Sequence, residues 1–156
     1  MITIICSYEV TNPMGYDQVQ FCRLMSVLYN RAVAIFLYAP DLWLEYARFK
    51  SKYYPEETRW KEAVQVLKKG LDSLGTSTFY RLACCDFYEE NGHLEEAEHE
   101  YEQLSSLESS VTWIQYMYFA RRTKGIEAAR EIFRRARLSL LSPDIFIAAG
   151  MVRNMI

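Results

Sequence analysis

Small and large apolar residues recur along this chain in two interleaved registers. In the first, a small or flexible residue is followed four positions later by a large apolar one and three beyond that by a small or aliphatic one. The sets are Met25/Tyr29/Ala32, Ala63/Leu67/Gly70, Ala97/Tyr101/Leu104 and Ala129/Phe133/Ala136, spaced by 38, 34 and 32 residues. Offsets of this kind lie on one face of an α-helix. A second register, with offsets of three and six, runs between them: Trp43/Tyr46/Phe49, Arg81/Cys84/Phe87, Trp113/Tyr116/Phe119 and Phe146/Ala149/Val152. Two patterns repeating in step with a period near 33 predict alternating A helices (second register) and B helices (first register).

Turn chemistry falls where these patterns leave room for it. Asn91-Gly92 and Lys124-Gly125 lie between an A and a B helix, and Gly75 follows a B helix ending near Leu74. Glycine is favoured there because a left-handed residue closes a helix C-terminus without a β-carbon clash. Pro40-Asp41 and Ser142-Pro143-Asp144 open A helices, with proline in the first turn and Asp at the positive helix end. The Tyr54-Pro55-Glu56-Glu57-Thr58 stretch lengthens one loop by four residues and accounts for the longer first period.

One pair of about 33 residues cannot cover its own apolar face, so successive pairs are expected to stack. The predicted fold is all-α, an α-α superhelix of about three and a half helix pairs, with residues 1–18 as a poorly defined N-terminal segment and 19–156 as the repeat array. The A partner of the first B helix would fall in Met1 to Pro13, which is short and partly β-like. The last A helix has no following B helix to cover it. The array is therefore expected to be an interior piece of a longer solenoid, or a product needing a partner at its C-terminal end.

Composition agrees. Of 156 residues, 51% are apolar and 15% aromatic, whereas Gly (six) and Pro (four) are scarce, which disfavours an all-β fold of this size. The longest apolar run, Ala32 to Ala39, has eight residues, far short of the roughly 20 needed to span a bilayer. No basic n-region precedes the opening Met1–Cys6 stretch, so a soluble intracellular protein without membrane contact is expected. The four cysteines and two histidines show no metal-ligand spacing, and adjacent Cys84 and Cys85 suit a reducing compartment as small buried hydrophobes. No phosphate loop, paired histidines or nucleophile with a base emerges, so neither catalytic residues, nor a metal, nor a cofactor are expected.

Charge adds one feature. The net charge is −2, which argues against a strongly basic nucleic-acid binder. Yet Asp86 to Glu108 holds nine acids and no Lys or Arg, and Val111 to Ile156 holds eight bases against three acids. Two readings stay open: adjacent repeats neutralise one another across their interface, or a basic layer of Arg121, Arg122, Arg130, Arg134, Arg135 and Arg137 docks an acidic protein segment or RNA backbone. Arginine suits bidentate contacts to carboxylate or phosphate.

Trp113, Tyr116 and Phe119 followed by Ile126, Ala129, Arg130, Phe133 and Ala136 form a pattern that resembles the half-a-tetratricopeptide (HAT) repeat family. It recurs from Trp43 and, less completely, from Arg81, where an aromatic is usual and neighbouring Tyr80 could take the place by a small helix rotation. Leu28-Tyr29-Asn30-Arg31-Ala32, Pro40-Asp41-Leu42-Trp43 and Ile114-Gln115-Tyr116 through Phe119-Ala120-Arg121-Arg122 resemble the suppressor-of-forked branch of that family. The resemblance implies a non-enzymatic scaffold in pre-mRNA 3′-end cleavage and polyadenylation, acting in the nucleus as a cleavage-stimulation-factor-like subunit. Its partners would be other subunits of an RNA-processing complex, with any RNA contact indirect. The later repeats and Pro-rich tail through which that family self-associates are absent from this stretch, so homodimerisation is not expected. The alternatives are a HAT scaffold of a splicing or ribosome-biogenesis complex, or a tetratricopeptide-like peptide-binding adaptor. The adaptor would need an Asn/Lys/Arg carboxylate clamp on the inner faces of its A helices, and the sequence displays none.

Overall fold

The computed structural model describes residue 12 and residues 14–75, 77–106 and 109–154. Among them eight helices follow one another and no strand occurs: α1 (Gln18–Ile35), α2 (Pro40–Tyr53), α3 (Glu56–Leu74), α4 (Thr78–Glu90), α5 (Leu94–Ser105), α6 (Ser110–Lys124), α7 (Ile126–Ser139) and α8 (Pro143–Asn154). The odd-numbered helices carry the B register and the even-numbered ones the A register. Of Met1 to Pro13, where the first A partner is expected, only Asn12 is among the described residues. No described helix is long and apolar enough to cross a membrane.

The chain divides into two compact units, residues 1–80 and 81–156, with the division inside α4 after Tyr80. In the first unit α1 packs on α2 and α2 on α3. Asp17 caps α1, its Oδ1 accepting the Gln20 amide at 2.8 Å. Pro40 and Asp41 open α2 as the sequence predicts. The core is aromatic: Tyr29 lies flat on Tyr46 with ring centroids 4.8 Å apart and planes 6° from parallel, and Phe49 closes against Tyr29 at 5.4 Å. Gly75 ends α3 with φ of 61°, a conformation that spares a β-carbon.

The second unit repeats this arrangement. α5 and α7 both pack on α6, and α8 packs on α6 and α7. Tyr101 stacks on Tyr116 at 5.3 Å and 1°, with Phe119 at 5.1 Å from Tyr101. The same three-ring constellation thus arises twice, from residues two repeats apart. Gly125, at φ of 94°, ends α6 and begins α7 by itself. Cys84 and Cys85 are fully buried.

Two A helices turn a different residue inward from the one the register names. In α4 Tyr80 is fully buried, while Arg81 is half-buried, its Nη2 donating to Glu100 at 3.0 Å and to Gln103 at 2.7 Å. Burying that charge without a partner would be far costlier than a small roll of the helix. In α8 the buried set is Ile145/Ala148/Val152, not Phe146/Ala149/Val152, and Phe146 is about half exposed. Ile145 through Ala149 are all apolar, so periodicity alone leaves the inward face of α8 open. Packing resolves it: Phe146 meets Phe133 of α7 edge-on at 5.6 Å.

Candidate docking surface

The six arginines named from the sequence sit on α6 and α7, and their surroundings divide them. Arg122 reaches from α6 to α4, its Nε and Nη2 donating to the two Glu89 carboxylate oxygens at 2.8 and 2.7 Å. Arg135 reaches from α7 to α5 and holds Glu102 in the same bidentate way at 2.7 and 2.6 Å. Lys124, in the same basic stretch, holds both oxygens of Glu98 at 2.5 and 2.6 Å. These bases bridge neighbouring repeats to the acidic segment. Arg121 is half-buried on α6.

Glu102 is the centre of the tightest group. Besides Arg135 it accepts the Tyr116 hydroxyl at 2.5 Å, and the Arg135 guanidinium lies 5.8 Å from the Trp113 ring. The Arg135 hydrogen bonds, opposed by partial burial and helped by Tyr116, hold the Glu102 carboxyl below its ordinary range. Burial and the Glu102 carboxylate push the Tyr116 hydroxyl up. Arg135 is shifted up by the same bond and stays charged throughout.

Arg130, Arg134 and Arg137 remain. They lie at offsets of four and seven on α7 and are exposed, so they form one stripe. Among the described residues the ion pairs of Arg130 and Arg134 are to Glu127 and Glu131 one turn back, exposed on both sides. Such pairs contribute about 0–1 kcal/mol and yield readily to a better partner. Arg137 makes no ion pair among the described residues. Beside Arg130, an apolar cleft of about 350 Å³ opens between α6, α7 and α8, lined by Met117, Ile126, Phe133 and Val152.

Sequence reasoning foresaw acid–base pairing between repeats but not its partners. Both bidentate pairs join residues 33 positions apart, the repeat period itself, and that spacing is the signal that would have found them. Among the described residues no three His, Cys, Asp or Glu side chains are grouped to hold a metal.

Paired helices repeating with a common aromatic core define a helical-repeat protein of the α-α class. A family model for the suppressor of forked protein matches residues 4–155, so the chain belongs to the suppressor of forked family. It is 29% identical over 134 residues to "Cleavage stimulation factor subunit 77" of Arabidopsis thaliana, covering 85% of this chain and 18% of that protein. It is 32% identical over 96 residues to "Protein suppressor of forked" of Drosophila melanogaster, covering 58% and 12% respectively. The chain thus spans less than a fifth of the length of either relative.

Proposed function

We propose that this chain is a non-enzymatic scaffold element in pre-mRNA 3′-end cleavage and polyadenylation, a cleavage-stimulation-factor-like subunit acting in the nucleus. The family match over nearly the whole chain carries the reading. The mechanism is display: rigid helix pairs hold side chains at fixed spacing for other subunits of the complex to grip. The docking element is the α7 stripe of Arg130, Arg134 and Arg137, whose guanidiniums, among the described residues, make weak exposed ion pairs or no ion pair. An acidic protein segment suits it, with apolar side chains entering the adjoining cleft between α6, α7 and α8. Arg122 and Arg135 contribute by locking the repeats together, and RNA contact is indirect.

Affinity purification from source cells followed by mass spectrometry tests the assignment, with cleavage and polyadenylation factors as the expected catch. Recovery of splicing or ribosome-biogenesis factors in their place would overturn it. Reversing Arg130, Arg134 and Arg137 to Glu should abolish that recovery while leaving the helical circular dichroism unchanged. Undiminished recovery would remove the stripe from the account.

A further inference from the structure

The two units carry the same constellation with one member exchanged. The stacked pairs Tyr29/Tyr46 and Tyr101/Tyr116 fix the register between them. In that register Trp43 corresponds to Trp113 and Asn30 to Glu102, each of the latter following its stacked tyrosine directly. Aligning Ala63/Leu67/Gly70 with Ala129/Phe133/Ala136 places Lys69 opposite Arg135. In the second unit a carboxylate fills the space between these groups: Glu102 sits against the Tyr116 hydroxyl and the Arg135 guanidinium, above Trp113. In the first unit that position holds a neutral, shorter Asn30, and Lys69 is exposed and makes no ion pair among the described residues.

What remains is a cleft of about 380 Å³ between α1, α2 and α3, lined by Asn30, Trp43, Tyr46, Lys50, Gln65 and Lys69 among others. Glu62 also lines it, but its carboxylate is already bound to the buried Lys50 ammonium at 2.6 Å. Lys69 is therefore the cleft's uncommitted charge, with the amides of Asn30 and Gln65 beside it as donors. We propose that this cleft receives an acidic side chain from an extended segment of a partner protein, whose carboxylate takes the place that Glu102 fills in the second unit. Val33, Trp43 and Val66 offer apolar surface to the residues flanking that acid. A nucleic-acid strand fits poorly, because Glu62 within the cleft repels a run of phosphates while a single carboxylate can lie beside Lys69. The site belongs to the first unit and does not depend on the α7 stripe.

The probe is a pair of capped pentapeptides, acetyl-Ala-Leu-Glu-Leu-Ala-amide and its Gln counterpart, titrated into the isotopically labelled full chain. The glutamate peptide should shift the Asn30 side-chain amide and the Trp43 indole resonances, with a dissociation constant of roughly 1 mM. The Gln peptide should bind about tenfold more weakly, the loss expected for one charge-assisted contact. Asn30→Glu supplies the missing carboxylate internally, so it should block the peptide while melting no lower than the unmodified chain. Lys69→Gln should weaken binding to the level of the Gln peptide. Equal binding of the two peptides, full binding by Asn30→Glu or Lys69→Gln, or no shift at either reporter would overturn the proposal. So would displacement of the peptide by a single-stranded RNA oligonucleotide at the same resonances. Pull-down by the Arg130/Arg134/Arg137 reversal reports on the other unit, so the two readings can fail separately.

Discussion

The Tyr80 ring occupies the space that a β-carbon on Gly70 would need. A carbon built there would lie 2.7 Å from Tyr80 Cζ, closer still to the Tyr80 hydroxyl, and 3.1 Å from Trp43 Cγ. Tyr80 can be fully buried against α3 because residue 70 has no side chain, and its hydroxyl donates to the Leu67 carbonyl at 3.4 Å. Helix propensity alone favours alanine over glycine inside a helix by about 1 kcal/mol. Gly70→Ala should nevertheless destabilise the first unit by about 1–3 kcal/mol, the usual cost of overpacking. Urea denaturation of the variant checks this, and a midpoint at or above that of the parent chain would refute the close approach.

Acid stability should depend on Glu102. Its folded-state pKa lies below its ordinary value of 4.5, so its contribution is complete above that value and fades as pH falls through the folded-state pKa. Glu102→Gln should flatten the acid limb of the stability profile of the second unit, seen as a smaller loss of melting temperature between neutral pH and pH below 4.5. An unchanged slope would show that Arg135 does not hold the carboxylate.

The two tryptophans should respond differently to conservative change. Trp43 donates its indole N–H to the Leu37 carbonyl at 2.9 Å, whereas the Trp113 Nε1 is buried with no hydrogen-bond partner among the described residues. Trp43→Phe forfeits a hydrogen bond, while Trp113→Phe sheds an unsatisfied donor. Trp43→Phe should therefore be the more destabilising of the two by about 1 kcal/mol in denaturant midpoints. Truncation of Trp113 to Ala removes core volume as well and should cost about 3–5 kcal/mol.

Thiol labelling should follow burial. Desolvation raises the Cys85 thiol far above its ordinary range and also raises Cys22, and Cys84 is fully buried. Iodoacetamide at mildly alkaline pH should leave all three unmodified in the folded chain and label them in denaturant. Mass spectrometry of tryptic peptides reads the outcome, and rapid native labelling of Cys84 or Cys85 would contradict the packing of α4.

Much of this fold is written in residue spacing. The first three B registers and the Trp43 and Trp113 registers fall on faces that the structure buries, because two short periods recurring in step leave few other arrangements. In the fourth, Ala129 and Ala136 are buried with Ile132, and Phe133 is only half-buried beside the cleft. Spacing fails at Arg81 and Phe146 for separate reasons. Arg81 turns toward Glu100 and Gln103 and leaves the innermost position to Tyr80, and the Ile145–Ala149 run offers several equivalent faces until α7 selects one. Among the candidate arginines, the uneven charge along the chain indicates that acids and bases meet. It does not distinguish Arg135, committed to Glu102, from Arg134 one residue earlier, because a single step around α7 separates a repeat-facing position from an exposed one. The cleft near Lys69 is harder still to foresee, since it is defined by what Asn30 lacks relative to Glu102.

Gly125 is the entire connection between α6 and α7, and a corner of one residue has no slack. A pull or push applied to α7 by whatever grips its outer side must move α6 as well, and with it the stacked rings of Tyr101 and Tyr116. The hairpin therefore behaves as a bracket: lengthening that corner by a few flexible residues would let each rod keep its own packing yet uncouple one from the other.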